Sequence, residues 1–501
     1  MQRVLVANRG EIALRVIRAC HDEGLEAIAV FSDADRHSPH VGAADDAVRI
    51  GPAPAAESYL NIQRVLAAAR ASRADAVHPG YGFLAESAEF AEAVGAAGVT
   101  FVGPSADAIR SMGEKTEARR RMQQSDVPVV PGTIDPVADV REAARVAADI
   151  GYPILLKAVA GGGGKGMRKV ESEDDLDSSF QRATSEALKA FGNGDVYVER
   201  CLHRPRHVEI QVLADQVGHT IHLGERECSI QRRYQKLIEE APAPALDDDT
   251  RARMGEAAVR AAESVDYTGV GTVEFLLLPD GQFYFLEMNT RIQVEHPVTE
   301  LVYRVDLVRE QLRIAAGQPL GEATMAAERD GHAIECRITS EDPFNAFLPD
   351  TGVIRYLQVP AGPGVRWDSG IAVGSEIGLH YDPLLAKLIV WGETRAVALA
   401  RMRRALDELT IVGVATSQPF HRLVMADEAF VQGSYDIEYV ERRGEALLET
   451  PAEPDQIRRI VVAAALAEHE RQAALRRRPP NHGDAAHQTA WLQAARRDGL
   501  R

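Results

Sequence analysis

Between residues 272 and 289 the chain can do little except fold back on itself. Strand-forming residues run over 272–278 and again over 282–289, and Pro279-Asp280-Gly281 between them is a strong hairpin signal. A two-residue turn at Asp280-Gly281 sets Glu274 opposite Glu287, and like charges opposed across a strand pair are destabilising. Solvent could relieve them on an open edge, but Val273, Phe275, Phe283, Tyr284, Phe285 and Leu286 imply a buried hairpin. A divalent cation between the carboxylates reverses the sign of the interaction, and hard oxygen ligands suit Mg2+.

The pattern continues without a break. Glu287, Asn289, Arg291, Gln293 and Glu295 recur with period two, so in an extended chain they share one face. That face mixes metal-binding, anion-binding and base-capable groups. Arg291 can hold a small planar anion bidentately, and Glu295 can accept its proton.

Upstream, a strand over 152–159 carries Lys157 and runs into Gly161-Gly162-Gly163-Gly164-Lys165-Gly166. Consecutive glycines let backbone amides turn toward a phosphate, and Lys165 adds charge. The run is not a Walker A loop, which needs Gly where Val159 sits and Ser or Thr where Gly166 sits. Followed at once by Met167-Arg168-Lys169-Val170, it reads as a strand–glycine loop–strand lid over a nucleotide. Residues 228–236 read as a basic surface loop facing an anion. His207 and Glu209 alternate in a similar way, and His207 stands open between a structural and a catalytic part.

Lysine is scarce: the 57 basic residues divide into 50 Arg and 7 Lys. Where a generic cation suffices this chain uses Arg. Lys115, Lys157, Lys165, Lys169, Lys236 and Lys387 are therefore candidates for work needing a compact ammonium, with Lys189 more simply a solvated helix position. A formal charge of −17 argues against sequence-independent nucleic-acid binding and leaves any anionic substrate to a local basic pocket. No apolar run approaches the ~18 residues of a membrane span. The first residues enter a strand directly, and Cys20, Cys201, Cys228 and Cys336 have no C-x-x-C spacing, so free thiols in a cytoplasmic protein are expected.

A chain of 501 residues suggests about three domains. Strands at 4–7, 26–31, 74–78 and 99–103, with a helix over 11–23, predict a doubly wound parallel sheet. Its first turn lacks G-x-G-x-x-G, which speaks against a dinucleotide site. Residues 331–445 are strand-rich, with a helix near 395–409. Residues 451–501 hold nine Arg, no Lys and six acids. There Ile457, Ile460, Val461, Ala464 and Ala465 fall at helical spacing, predicting a helix over 455–478 and a second, short one with Trp491 and Leu492. This tail reads as a docking element for a partner or as a helix packed back on its own chain.

Five segments together resemble a biotin carboxylase subunit of the ATP-grasp superfamily. They are Ala7-Asn8-Arg9-Gly10-Glu11-Ile12-Ala13, His78-Pro79-Gly80-Tyr81-Gly82-Phe83-Leu84-Ala85-Glu86, the glycine run, Arg206-His207-Val208-Glu209-Ile210-Gln211, and Glu287-Met288-Asn289-Thr290-Arg291-Ile292-Gln293-Val294-Glu295-His296-Pro297. The likeness covers about residues 1–445. It implies an N-terminal α/β domain (1–112), a central ATP-grasp domain (113–330, lid about 130–202) and a strand-rich C-terminal domain (331–446), before the 451–501 tail. It also implies the reaction: ATP phosphorylates bicarbonate to carboxyphosphate, which yields CO2 for attack by N1′ of biotin. By the same resemblance Lys115, Lys157, Lys236, His207, Gln231 and the loop Gly162, Gly163, Gly164, Lys165 and Gly166 contact nucleotide, with Glu199 and Leu202 on the adenine side. Glu274, Glu287 and Asn289 hold Mg2+, for which Mn2+ can substitute. Arg291, Gln293 and Val294 hold bicarbonate, Glu295 is its base, and Arg337 stabilises the oxygen of deprotonated biotin. Tyr234 stands where many relatives are expected to carry His.

The chain has no Met-Lys-Met, the biotin-accepting sequence, and no room for a carboxyltransferase. The resemblance therefore implies biotin on a separate carrier protein, a separate carboxyltransferase subunit and a homodimer. The acceptor would be an acyl-CoA, as in acetyl-CoA carboxylase and fatty acid biosynthesis, or a keto acid. Two other readings stay open: another ATP-grasp ligase that forms an acyl phosphate, and an inactive nucleotide-binding scaffold.

Overall fold

The N-terminal part is the expected doubly wound sheet. Strands β1 (Arg3–Val6), β2 (Glu26–Ser32), β3 (Asp46–Gly51), β4 (Ala76–His78) and β5 (Thr100–Phe101) are all parallel, in the order β3-β2-β1-β4-β5. Val4 and Val6 enter one core with Ile12, Val16 and Ile17, while Leu5 enters another with Ile28, Val30 and Val65. A sheet covered on both faces explains why its strands read as continuous apolar runs. Strand β3 escapes sequence reading because it is an edge strand with exposed Asp46 and Arg49. The computed structural model describes residues 1–159, 166–449, 462–463 and 465–469.

Strands β6 (Ile154–Ala158), β7 (Met167–Val170) and β8 (Val196–Arg200) form a small antiparallel sheet in the order β7-β6-β8. Gly166, with φ of +81°, leads into β7 in the left-handed region that favours glycine. Gly162, Gly163, Gly164 and Lys165 lie outside the described residues.

The rest of the sheet structure centres on eight antiparallel strands. These are β9 (Arg206–Ala214), β10 (Thr220–Arg232), β11 (Gln235–Ala241), β12 (Gly269–Leu277), β13 (Phe283–Asn289) and β14 (His332–Thr339), with Val365–Ser369 and Leu384–Gly392. Alternation divides the faces. Val208, Ile210 and Val212 of β9 and Val273, Phe275 and Leu277 of β12 pack on Met254, Ala257 and Ala261 of helix Asp248–Glu263. Each of the larger side chains contributes roughly 1.5–3 kcal/mol by leaving water. The intervening residues, His207, Glu209, Gln211, Thr272 and Glu274, therefore collect on the opposite, polar face. On β14, likewise, Ile334, Cys336 and Ile338 enter a core and leave Glu335 and Arg337 for the polar face. Strands β11 and β14 are hydrogen-bonded neighbours, so the sheet continues past residue 330, and residues on both sides of that point share one surface.

Three local expectations are corrected. The hairpin does not close with a two-residue turn: Leu278 N–H donates to the Gln282 carbonyl, which makes Pro279-Asp280-Gly281 a three-residue loop. Near the turn Leu277 pairs with Phe283, and a bulge at Leu286 then shifts the register so that Glu274 still meets Glu287. Residues 228–236 are not a loop. They are the end of β10, a turn at Arg233-Tyr234 with φ of 49° and 66°, and the start of β11, the geometry of a type I′ hairpin turn. The 287–295 run is extended only to Asn289, after which the chain bends into helix His296–Tyr303.

On the other face of β11, Glu240 ties the C-terminal elements together. It accepts from Arg395 Nε at 2.7 Å and Nη2 at 3.0 Å, lies 2.6 Å from His332 Nε2, and accepts from the Tyr435 hydroxyl. Burial pushes its carboxyl up, but the His332 and Arg395 hydrogen bonds outweigh burial and bring the pKa down to about 2. A depressed acid stabilises the fold above its unfolded pKa of ~4.3 and loses that contribution as pH falls toward 2, a term of roughly 3 kcal/mol. The stability difference between wild type and Glu240→Gln should hold steady above about pH 5.5 and shrink by more than 1 kcal/mol by about pH 3 in urea titrations. An unchanged difference would contradict this ion-pair assignment.

Among the described residues no helix is long and apolar enough to cross a membrane. In the tail, residues 462–463 and 465–469 are helical and exposed. The remainder of the helix expected over 455–478, and the one with Trp491 and Leu492, lie outside the described residues.

Candidate active site

Lys236, the second residue of β11, gathers the polar face of the sheet. Its Nζ donates to Glu209 Oε2 at 2.5 Å, Glu295 Oε1 at 2.6 Å, Glu274 Oε1 at 2.9 Å and Gln293 Oε1 at 3.3 Å. Burial disfavours its charge, yet the three carboxylates hold its pKa well above the ordinary lysine value. A fully buried arginine sets the position of the first of these. Arg226 on β10 donates to Glu209 Oε1 at 2.5 Å, Gln211 Oε1 at 2.6 Å, Thr272 Oγ1 at 3.0 Å and Thr299 Oγ1 at 3.1 Å. Glu209 therefore offers one oxygen to Arg226 and the other to Lys236.

Glu295 sits at the N-terminal boundary of helix His296–Tyr303, whose first turn carries Pro297, and its side chain makes no capping hydrogen bond. The turn is pinned by His296 Nδ1, 2.7 Å from the Gln293 carbonyl, and by Lys387 Nζ, which donates to the Val294 carbonyl at 2.7 Å. Glu295 Oε2 accepts from Arg337 Nη2 at 2.9 Å, opposite its bond to Lys236. Burial raises the Glu295 pKa, but Lys236 and Arg337 bring it below the usual carboxylate range, so the group is held in its ionised, proton-accepting form. Arg291 lies between Asn289 and Gln293 in the chain. It donates to Glu86 at 2.9 Å, Asn289 Oδ1 at 2.8 Å and the Ile292 carbonyl at 3.2 Å.

Glu274 and Glu287 are directly paired across β12 and β13. Glu274 accepts from Lys236, from Asn289 Nδ2 at 2.9 Å and from Gln293 Nε2 at 2.9 Å. Glu287 is open to the cleft, and its pKa is raised, first by the charge of Glu274 and then by burial. Glu274 still raises the Glu287 pKa although Lys115, His207 and Lys236 oppose it, and two hard oxygen donors with an amide beside them fit a divalent cation. His207 Nε2 is 3.1 Å from Glu274 and 3.6 Å from Glu209. Burial opposes its charge, but Glu274 raises its pKa to about 9, which favours the charged ring.

On the opposite wall, Lys157 pairs with Glu199, which also binds Arg119. Lys115 opens helix Lys115–Gln124, and burial lowers its pKa while Glu287 raises it. Leu202 follows β8, and Gln231 is the β10 partner of Lys236. Lys115, Lys157, His207 and Lys236 thus place basic groups beside the Glu274–Glu287 pair, an arrangement that suits a polyphosphate.

Four supporting residues carried no signal strong enough to be singled out: Arg119, Arg226, Glu239 and, as a partner of Arg291, Glu86. Arginines and glutamates are too common here for one of them to stand out. Lys387 did have a signal, its rarity, but nothing in the sequence places it under Val294.

The chain matches the family models "Biotin carboxylase, N-terminal domain" over residues 1–109, "Carbamoyl-phosphate synthase L chain, ATP binding domain" over 114–323 and "Biotin carboxylase C-terminal domain" over 335–442. The biotin carboxylase of Nostoc sp. is 53% identical over 439 residues, 88% of this chain and 98% of its own length. The crystal structure of a Campylobacter jejuni biotin carboxylase complex has a TM-score of 0.84 at 46% identity, covering 88% of this chain and 98% of that one. The biotin carboxylase domain of Hydrogenobacter thermophilus 2-oxoglutarate carboxylase, a dimer in complex with MgADP, ADP and bicarbonate, also has a TM-score of 0.84. It is 45% identical over 90% of this chain and 99% of that one.

Proposed function

We propose how the residues divide the reaction from one premise: this chain belongs to the biotin carboxylase family and is an ATP-dependent biotin carboxylase. ATP, Mg2+ and bicarbonate are its small-molecule requirements, and biotin is the substrate it carboxylates. Lys115, Lys157, Lys236, His207 and Gln231 receive the nucleotide, with Glu199 and Leu202 at its base end and the 162–166 loop as its cover. Glu274 and Glu287, with Asn289, hold Mg2+, which when bound offsets the charge of the transferring phosphoryl group. Arg291, Gln293 and Val294 hold bicarbonate beside Glu295.

Glu295 takes the bicarbonate proton, which turns a poor nucleophile into a better one. Lys236 links this base to the metal pair, so proton removal and phosphoryl transfer occur within one hydrogen-bonded group. Arg337 stabilises the ureido oxygen as N1′ of biotin loses its proton. The observation that carries this reading is the convergence of Lys236 on Glu209, Glu274, Gln293 and Glu295 while Arg337 holds the other oxygen of that same Glu295.

The proposed domain limits are 1–112, 113–330 and 331–446. The enzyme works as a cytoplasmic homodimer, a state supported by the dimeric Hydrogenobacter domain. It acts on biotin borne by a separate carrier protein and passes the carboxyl group to a carboxyltransferase subunit, for an acyl-CoA or keto-acid acceptor.

The metal assignment has its own test. Glu287→Gln should raise the Mg2+ concentration for half-maximal ATP hydrolysis by roughly tenfold or more, since even supporting residues around a metal cost 10–100-fold in affinity. An unchanged Mg2+ dependence would remove Glu287 from the metal site.

A further inference from the structure

Arg337 is held from two sides. Its Nε donates to Glu239 Oε1 at 2.6 Å and its Nη2 donates to Glu295 Oε2 at 2.9 Å. Glu239 is wholly buried on β11, and across the strand pair it faces Glu335 of β14, also wholly buried. Among the described residues neither oxygen of Glu335 makes a hydrogen bond, and neither does Oε2 of Glu239. Two opposed buried carboxylates disfavour each other's ionisation. Burial pushes both up, Glu335 far above the usual range and Glu239 only to about 7, because Arg337 lies directly against Glu239. Arg337 thus favours the charged form of Glu239, and a proton shared by the pair is favoured on Glu335.

The two partners of Arg337 differ in permanence. Glu295 is the proposed base and loses its negative charge on taking the bicarbonate proton. Glu239 has no part in the proposed proton transfer, and its hydrogen bond to Arg337 does not depend on bicarbonate. We propose that Glu239 is the positioning residue for Arg337, a fixed anchor that retains the guanidinium when Glu295 is neutralised and hands its Nη2 corner to the ureido oxygen of biotin. Proton removal from bicarbonate, with the O–H electron pair staying on bicarbonate and the proton moving to Glu295, is thereby linked to readiness for biotin. A charge-assisted bond is roughly twice as strong as a neutral one, so neutralising Glu295 weakens one side of the contest and not the other. This inference rests on the assignment of Glu295 and Arg337 above.

The test is a double-mutant cycle on the full chain with free biotin at pH 8. Glu239→Gln should lower kcat for biotin carboxylation by about tenfold or more, the scale of losing a charged partner, while the KM for ATP moves less than threefold. In an Arg337→Ala background the same substitution should cost less than threefold further, because Glu239 acts only through Arg337. Glu239→Asp should recover part of the loss. If Arg337→Ala is impaired but Glu239→Gln carboxylates biotin normally, or if the two losses multiply, the anchor role is overturned and the assignment of Arg337 stands. If Arg337→Ala carboxylates normally, that assignment fails and the anchor role falls with it.

Discussion

Replacing Arg337 by alanine should reduce free-biotin carboxylation about 10²–10³-fold, the cost of removing one preorganised donor from a developing oxyanion, while ATP binding persists. The ureido nitrogen of biotin is a very weak acid, so its deprotonation needs help at the oxygen where the charge accumulates. Arg337 is the cation we assign to that position. Its carboxylate partners, Glu239 and Glu295, and its own burial keep it aimed, and its pKa is raised because the partners outweigh the burial. It lies on β14, away from Lys115, Lys157 and Glu199 on the nucleotide wall. Nucleotide affinity measured by titration calorimetry should therefore remain within a few-fold of wild type. Near-normal carboxylation by the variant would disprove the assignment.

Glu295→Gln should have a broader effect. Loss of a general base costs about 10²–10⁴-fold, and here it precedes phosphoryl transfer, so bicarbonate-dependent ATP hydrolysis and biotin carboxylation should fall together. The glutamine keeps a side chain of similar shape between Lys236 and Arg337 but cannot accept the bicarbonate proton. The two variants thus separate the steps: Arg337→Ala spares ATP binding and fails at biotin, whereas Glu295→Gln fails earlier. A Glu295→Gln enzyme whose ATP hydrolysis still responds normally to bicarbonate would show that another group is the base.

The chemistry was more legible in the sequence than the geometry that delivers it. Glu274 and Glu287 face each other as the hairpin pattern predicts, but by way of a three-residue loop and a bulge at Leu286 whose shifts cancel. Turn residues report that a hairpin exists; the bulge depends on packing along the strands, which residue type does not encode locally. Gln293 and Glu295 reach the site although the chain is not extended there, because His296 and Lys387 pin a turn that brings both onto Lys236. Periodicity grouped Gln293 and Glu295, which do meet at Lys236, but on a turn and not an extended strand. Strand alternation was reliable where one face is apolar, as at Val208, Ile210 and Val212, since burial fixes the register and so the direction of His207 and Glu209. Arg226, Glu239 and Glu86 were not legible as site residues because their roles come from long-range pairing, which no local spacing reveals.

The most direct measurement follows ATP hydrolysis by the purified protein together with incorporation of labelled bicarbonate into free biotin. Bicarbonate and Mg2+ are omitted in turn. The structure predicts ADP release that requires both and carboxybiotin that accumulates only when ATP is also present. ATP turnover indifferent to bicarbonate, or turnover that demands an amine and leaves biotin unlabelled, would contradict it.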